Sequence, residues 1–600
     1  MERIISQEQC FMRLFSIMIV FLFLHAAIAH AADINPKSVD SITARVVQSG
    51  SITINGRITT LNLTLYIPQD GIQSISVYSD NWKYAQDSFG NRQVVIEWSE
   101  PEGVLLYRIE TTVKNSASYL YSDSNTGYDE AFLKETPQIV FNDEMRKIAY
   151  PYERSMKRAV ELSSWVNSYL TYDSSYADRR LPSDKVLLER RGVCVEHANL
   201  LTSLLRISGI PTKYITGYSY SNIDKKFIGH AWVEVLSGEG EWVGIDPTWN
   251  EAGYIDAMHI KTAEMLDENQ TELLSYKGSG KVNWTRDSEE IELLDYNEKN
   301  PVEILADDST FYNNGYGFVK ARFTSSCMLM DVTAKSCVDD RGSDVFDIYE
   351  KERKIWNCGE RYIYWFFRPR AIGENILYTC PVSLFDQTGA KTSIDIGIRD
   401  RKNVDDVFIS GPDSVGIGQE FELSSSREYG FIFYSSTLGE RQQNAKWQLS
   451  LARPGIYNFY LYSGGALAKK EVQVLETVEF SISAEIPKNV TLGSSFLFPI
   501  SVKNLESKEK TGRIRVEFDG KMFESDFSIS PGSSYRTVFN LTAGGIGTKV
   551  VSVSAMGNSV ATYSGQILVY QHKERTFFDS IAEFFAGLFN AIGDFFDSIF

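Results

Sequence analysis

Three residue types that together carry out acyl transfer occur in order within this 600-residue chain. Cys194 follows a Gly-Val pair, His230 lies in an alternating run, and Asp246 closes a short apolar run before a proline. A thiolate attacks a carbonyl carbon, an imidazole moves the proton, and a carboxylate orients the imidazole. The order Cys, His, Asp therefore predicts nucleophilic catalysis at an amide carbonyl.

Cys194 stands where a helix is predicted to begin, after an earlier helix predicted over residues 154–170. Gly209 and Pro211 end the second helix, because glycine accepts a left-handed cap and proline cannot continue a helix. The positive end of the helix dipole favours a thiolate, and free N–H groups there can bind an oxyanion. This position suits Cys194 as a nucleophile.

His230 is the preferred general base because of the strand on which it lies. In the alternating run of residues 229–236, His230 and Trp232 share a polar face, and the small and branched side chains face the core. A hairpin tip bracketed by residues 236 and 240 places Asp246 opposite His230, and a shift of two residues leaves the pair diagonal but within reach. Asp246 would then fix the imidazole tautomer.

Two other histidines and a metal site are the alternatives at this position. His197 is one helical turn beyond Cys194 and is a second candidate base, although a capping or surface role suits its direction better. His259 is a third candidate base. A metal site built from Cys194, His197 and His230 is the remaining alternative, and metal analysis of purified protein would test it.

These segments resemble the transglutaminase-like superfamily of papain-like cysteine enzymes over roughly residues 154–248. The resemblance rests on several blocks in the correct order: GVC at 192–194, LLRISGIP at 204–211, GY at 217–218, HAWVEV at 230–235 and WVGIDPT at 242–248. It implies Cys194 as the nucleophile, His230 as general base and acid, and Asp246 as the residue that orients His230. Further candidates for substrate or oxyanion binding are Trp232, Glu196 and Tyr218.

Neither a cofactor nor a metal is expected, since the chain has no evident calcium-binding segment. Its charge argues against nucleic acid as a partner: 78 acidic residues outnumber 60 basic residues, for a net charge of −18. No polybasic patch for anionic lipid is evident either. The expected partner is a protein or peptide substrate.

The N-terminus and the cysteines predict export. Basic residues end at Arg13, an apolar run covers residues 14–24, and small residues follow, which is typical of a cleaved signal over residues 1–31; an uncleaved anchor is the alternative. Four clustered cysteines predict two disulfides with three connectivities, or a structural zinc site without a CxxC pair. They are Cys327, Cys337, Cys358 and Cys380, which leaves Cys194 as a free thiol. Glycosylation sequons occur at Asn62, Asn269, Asn283, Asn489 and Asn540.

The expected fold class is multidomain α+β, with a papain-like transglutaminase core between an N-terminal antiparallel β domain and C-terminal β-sandwich modules. The C-terminal segment is predicted to form an amphipathic helix that contacts a membrane surface or a partner protein. The expected boundaries are 32–135 for the N-terminal β domain, 140–295 for the core, 300–402 for a cysteine-containing β domain, 403–475 for an Ig-like β module, 476–571 for a β-sandwich module and 575–600 for the helix.

The expected function is that of an exported cysteine enzyme, secreted or associated with the cell envelope, acting on amide bonds of proteins or peptides. Hydrolysis is favoured over cross-linking, because water is always available and no amine site is evident. The alternative is a catalytically silent envelope or adhesion scaffold that uses the fold for binding.

Overall fold

The computed structural model describes residues 34–571 except for short internal stretches, which are 80, 151, 269–272, 288, 309–310, 314, 371–377, 400–403, 442–443, 476–477 and 558. The predicted signal over 1–31, the predicted helix over 575–600 and the sequon at Asn269 lie outside the described residues.

The described part of the chain is mostly β-strand, and its four α-helices lie between residues 143 and 207. The helices are α1 (Asp143–Ala149), α2 (Met156–Tyr169), α3 (Ser183–Glu189) and α4 (Cys194–Ile207). Within the described residues, no helix has the length and apolarity to cross a membrane.

The strands fall into successive groups along the chain. The first group is β1 (Val39–Asn55), β2 (Ile58–Tyr66), β3 (Ile72–Tyr78), β4 (Trp82–Gln86), β5 (Arg92–Ser99), β6 (Val104–Ser116), β7 (Ser118–Tyr119), β8 (Thr171–Tyr172) and β9 (Arg191–Gly192). The second group is β10 (Thr212–Ser221), β11 (Lys226–Leu236), β12 (Trp242–Asp246), β13 (Glu251–Ala252), β14 (Tyr254–Ile255), β15 (Ile260–Met265), β16 (Leu273–Gly278), β17 (Lys281–Arg286) and β18 (Glu290–Glu298).

The later strands carry the remainder of the described chain. The third group is β19 (Val302–Asp308), β20 (Phe311–Tyr312), β21 (Gly317–Lys335), β22 (Phe346–Ile348), β23 (Glu352–Pro369), β24 (Tyr378–Asp386) and β25 (Lys391–Arg399). The fourth group is β26 (Ile409–Pro412), β27 (Ser414–Gly416), β28 (Glu420–Ser425), β29 (Ile432–Ser435), β30 (Gly439–Arg441), β31 (Lys446–Ser450), β32 (Gly455–Ser463) and β33 (Ala466–Leu475). The last group is β34 (Phe480–Ala484), β35 (Asn489–Thr491), β36 (Ser495–Asn504), β37 (Lys510–Phe518), β38 (Lys521–Ile529), β39 (Ser534–Thr542), β40 (Gly547–Met556) and β41 (Val560–Tyr570).

Two antiparallel sheets enclose the N-terminal core. One has the order β17-β1-β6-β3, with β18 also paired to β1, and the other has the order β16-β2-β5-β4. Strands β16 to β18, over residues 273–298, therefore return to the N-terminal sheets, although the expected boundaries place residues up to 295 in the core. The strand pattern of this segment does not reveal which sheet it joins, because pairing across more than 200 residues leaves no local signal.

The central unit packs helices against a five-stranded antiparallel sheet of order β13-β12-β11-β10-β15. The stripe of α4 that includes Leu201 and Leu205 is buried against Ala231 and Val233 of β11 and Tyr214 of β10. The predicted helices and strands of this region form close to their expected bounds. The hydrophobic contact fixes the N-terminal end of α4 beside the same sheet.

The cysteine-containing region forms a sheet of order β20-β25-β24-β21-β23-β22, with β19 on β21. Cys327 is bonded to Cys358, and Cys337 is bonded to Cys380. The prediction of two disulfides is confirmed, and the zinc alternative for these four residues is wrong because their sulfurs are bonded in pairs. Cys327 also donates its backbone N–H to the Leu120 carbonyl at 2.7 Å, which joins this sheet to the central unit.

The C-terminal strands surround two separate hydrophobic cores. The first contains Phe433 and Trp447, and the second contains Phe498 and Val553. Strand β26 pairs with β28 of the first core and with β41 beside the second, so one eight-stranded sheet continues between them.

Candidate active site

The start of α4 is held by an internal cap. Val193 is the N-cap residue, and Glu196 accepts hydrogen bonds from the backbone N–H groups of Val193 at 2.9 Å and Leu181 at 3.1 Å. Gly192 is required beside this cap, since a Cβ there would lie 2.2 Å from the Glu196 Cβ. Glu196, predicted as a substrate or oxyanion candidate, is fully buried and has both oxygens bound by backbone. These contacts give Glu196 a role in fixing the helix start.

Cys194 is the first residue of α4 and the free cysteine of the described chain. Cys194 is half-buried. Cys194 interacts with His230: a hydrogen bond from Cys194 and its charge both raise the pKa of His230. The structure therefore brings the predicted nucleophile and the predicted base together.

His230 and Asp246 are hydrogen-bonded through Nε2 and Oδ2 at 2.8 Å. Their strands are two residues out of the directly opposite register, because β11 and β12 pair Val233 with Ile245. The hairpin loop is longer than expected: Leu236 pairs with Trp242, and the Ser237 N–H donates to the Glu241 carbonyl at 2.8 Å. The pair is thus diagonal, which the alternative register allowed.

Both carboxylate oxygens of Asp246 are fully engaged. Its Oδ1 accepts the backbone N–H groups of Thr248 at 2.7 Å and Trp249 at 3.3 Å, and its Oδ2 lies between His230 and His259. Burial alone raises the pKa of Asp246, but the two histidines hold that pKa far below its usual range. Asp246 is therefore an anion with one fixed orientation.

The charge of His230 follows from this partner. Burial lowers the pKa of His230, but the nearby Asp246 carboxylate and the Cys194 thiol outweigh burial and raise that pKa to about 9. His230 is therefore an imidazolium at neutral pH. Its Nε2–H is directed to Asp246, which leaves Nδ1 for the thiol.

Two indole rings stack on the His230 imidazole. Trp232 stacks with a ring-centroid distance of 6.1 Å and an interplanar angle of 22°, and Trp249 stacks at 5.4 Å and 19°. Trp232, predicted as a substrate or oxyanion candidate, is only 3% exposed and packs against the His230 ring. Trp249 was not predicted; its position three residues after Asp246 is the signal that could have found it.

His259 lies on the far side of Asp246 and is fully buried. Its Nε2 is 3.3 Å from Asp246 Oδ2, and its Nδ1 is 3.1 Å from Asp256 Oδ1. The third candidate base therefore contacts the same carboxylate oxygen as His230. Burial lowers the pKa of His259, but Asp256 and Asp246 raise it well above its usual value.

His197 is turned into its own helix. Its Nδ1 donates to the Val193 carbonyl at 2.8 Å, and its side chain is 2% exposed. The surface role is therefore wrong, and the ring does not cap the helix either, because it bonds a carbonyl that already accepts the His197 backbone N–H and none of the free N–H groups of the first turn. Burial lowers the pKa of His197, which keeps the ring neutral at neutral pH.

Two groups of buried donor atoms are close enough to hold a metal among the described residues: His230, Asp246 and His259, and Glu251, Asp256 and His259. In each group His259 is already within hydrogen-bonding distance of a carboxylate, so a metal ion would displace those bonds. The group proposed from Cys194, His197 and His230 does not form in the described part of the chain.

Two tyrosines take different positions relative to the site. Tyr218, predicted as a substrate or oxyanion candidate, is buried with Met258 and Ile260 in the cluster shared with the N-terminal sheets. Tyr172, which was not predicted, is 50% exposed and close to Cys194: burial and then Cys194 raise its pKa. Tyr172 is thus the exposed aromatic side chain beside the thiol.

Residues 142–247 match the model of the transglutaminase-like superfamily. Uncharacterised proteins of Mycobacterium bovis and Mycobacterium tuberculosis are 32% identical over 127 residues, which is 19% of this chain and 40% of each relative. A protein-glutamine gamma-glutamyltransferase of Pseudomonas aeruginosa is 32% identical over 71 residues, which is 10% of this chain and 11% of that protein. The chain thus spans well under half the length of these relatives.

Two solved structures are similar to parts of this chain. A Cytophaga hutchinsonii protein assigned as a cysteine protease aligns with 43% of this chain and 93% of its own, at 18% identity and a TM-score of 0.34. Red sea bream transglutaminase aligns with 85% of this chain and 92% of its own, at 10% identity and a TM-score of 0.14.

Proposed function

We propose that this protein is a cysteine enzyme that acts on amide bonds of proteins or peptides through an acyl-enzyme on Cys194. The observation that carries the proposal is the hydrogen bond of 2.8 Å between His230 and Asp246, with the Cys194 thiol on the other side of the same ring. A thiol at a helix start, a charged imidazole and a buried carboxylate are the parts that acyl transfer needs.

The first half-reaction forms a thioester. The Cys194 sulfur attacks the amide carbonyl, while backbone N–H groups at the start of α4 stabilise the oxyanion. His230 then gives its Nδ1 proton to the leaving amine, and the carbon–nitrogen bond breaks. Asp246 keeps the imidazole in place through Nε2 during this proton transfer.

The second half-reaction decides between hydrolysis and transamidation. Neutral His230 takes a proton from water, the hydroxide attacks the thioester, and the sulfur leaves as a thiolate that restores the ion pair. An amine in place of water would give a cross-link. We favour hydrolysis, because water reaches the half-exposed thiol without any dedicated site.

We place the enzyme outside the cytoplasm. Two disulfides support an oxidising compartment, in agreement with the predicted signal over residues 1–31. Contact with a membrane surface or a partner protein through residues 575–600 is part of the same proposal.

The test compares wild-type protein with Cys194→Ala on an extracytoplasmic protein fraction. Labelling of new N-termini and a mass-spectrometric search for new cross-links, with deglycosylated asparagines as a third product class, separate the reaction types. New N-termini that require Cys194 are expected. Products that appear equally with Cys194→Ala, or no product of any class, would leave the silent scaffold as the better description.

A further inference from the structure

A second histidine lies behind the proposed triad, where acyl transfer does not require one. His259 follows β14 and precedes β15, in a loop that packs under the sheet bearing His230. Its ring centroid is 5.7 Å from that of His230 and 5.3 Å from that of Trp232. The side chain is 1% exposed, so its polar atoms must be satisfied inside the protein.

We propose that His259 is a positioning residue of the active site: held between Asp246 and Asp256, it donates one hydrogen bond to each and fixes the Asp246 carboxylate for His230. This inference rests on the proposed function, because the carboxylate matters only if His230 serves the thiol. It makes the working unit a chain of five groups, Cys194–His230–Asp246–His259–Asp256.

The two nitrogens of His259 require this protonation state. Nδ1 lies 3.1 Å from Asp256 Oδ1 and Nε2 lies 3.3 Å from Asp246 Oδ2, so each faces an acceptor. A neutral ring has one N–H and would direct a lone pair at one of the carboxylates. The doubly protonated ring satisfies both contacts and neutralises part of two buried negative charges.

Other polar and titratable groups lie near Asp256 and the His259 ring. Glu251 is buried beside Asp256, whose backbone N–H it accepts at 3.1 Å, and burial and Asp256 raise the pKa of Glu251 to about 8. His259 and then Lys37 lower the pKa of Glu251. Ser219 Oγ on β10 is 3.4 Å from His259 Nε2. The carboxylates that contact the His259 ring directly are Asp246 and Asp256.

The arrangement holds the Asp246 carboxylate in one orientation. His230 and His259 share Asp246 Oδ2, while backbone N–H groups of the following loop hold Oδ1. Without His259, Oδ2 would lose a charged donor, and the carboxylate could rotate out of the line to His230. The thiolate–imidazolium pair would then form less readily, and thiolate chemistry would move to higher pH.

The test measures the rate of Cys194 alkylation by iodoacetamide against pH, in the full-length protein. His259→Phe removes both donors, whereas His259→Gln keeps one and should rescue part of the effect. Asp256→Asn removes the charge behind the ring. Asp386→Asn is the matched control: it changes another buried aspartate, hydrogen-bonded to Thr388 in the cysteine-containing sheet.

His259→Phe is expected to lower the rate at pH 7 by about tenfold and to raise the pH midpoint of alkylation towards that of His230→Ala. His259→Gln and Asp256→Asn should lie between. Asp386→Asn should lower thermal stability without moving the midpoint. If His259→Phe does not fold, the Gln and Asp256→Asn proteins decide.

Two outcomes separate failure of this inference from failure of the proposed function. Folded His259 and Asp256 variants with a wild-type midpoint would overturn the positioning role, provided that His230→Ala shifts it. If His230→Ala instead has the wild-type pH midpoint of alkylation, the proposed function is wrong, and with it the inference that rests on it.

Discussion

Replacing Asp246 by asparagine keeps the shape of the site and removes its buried negative charge. The amide oxygen can still accept the Thr248 N–H, but the amide NH2 then faces His230 Nε2 and His259 Nε2, which are both donors. To avoid that conflict, His230 must lose its proton from Nε2 and keep one on Nδ1. That tautomer cannot accept a proton from the thiol.

The size of the effect follows from the charge on His230. Its pKa is raised from 6.5 to about 9, which corresponds to about 3 kcal/mol in favour of the imidazolium. A raised pKa stabilises the fold fully below the unfolded value near 6.5, and this contribution is lost as pH rises towards about 9. In Asp246→Asn, burial acts without the carboxylate, and the contribution disappears.

The assay is urea unfolding at fixed pH values from 6 to 10, with Cys194 alkylation at pH 7 on the same samples. Between pH 6.5 and 9, the unfolding free energy of wild type should fall by about 3 kcal/mol more than that of Asp246→Asn. Alkylation should slow at least tenfold. Parallel stability curves, with equal alkylation rates, would refute the reasoning; Asp386→Asn serves as the matched carboxylate control.

Three further perturbations test other contacts. Trp249→Ala removes one of the two rings stacked on His230 and should slow alkylation several-fold with a loss of about 3 kcal/mol in stability, measured by urea unfolding. Gly192→Ala places a Cβ 2.2 Å from the Glu196 Cβ, so thermal unfolding should occur at lower temperature and alkylation should slow, whereas Gly229→Ala, with open space at its Cβ, should change stability far less. Replacing Cys327 and Cys358 together by serine opens a loop with a sequence separation of 31 residues and should cost about 3–4 kcal/mol in urea unfolding; an unchanged midpoint would contradict it.

Local patterns were sufficient to predict which three side chains the structure brings together, namely Cys194, His230 and Asp246. The helix start at Cys194, the alternation around His230 and the turn after Asp246 are each encoded within about ten residues, and the family-like blocks gave their order. The register was off by two because Leu236 pairs with Trp242, and a loop of that length is not set by the glycines alone. The predicted contact between His230 and Asp246 still forms, because a shift of two residues leaves the pair diagonal and within reach.

Contacts without local periodicity could not be predicted. His259 contacts Asp246 from a loop, and the only signal is the spacing to Asp256, which suits a turn as well as a site. The return of residues 273–298 to the N-terminal sheets depends on pairing such as Thr53 with Asn283, far apart in sequence. The sequence allowed three disulfide connectivities, and the pairing of β21 with β23, which brings Cys327 beside Cys358, selects one of them.

The most direct measurement is the rate of iodoacetamide modification of Cys194 at pH 7 in wild type and in His230→Ala. The site geometry predicts that the wild-type thiol reacts at least tenfold faster, because the imidazolium beside it stabilises the thiolate. Equal rates in two folded proteins would mean that the His230 ring does not activate the sulfur, and would contradict the account.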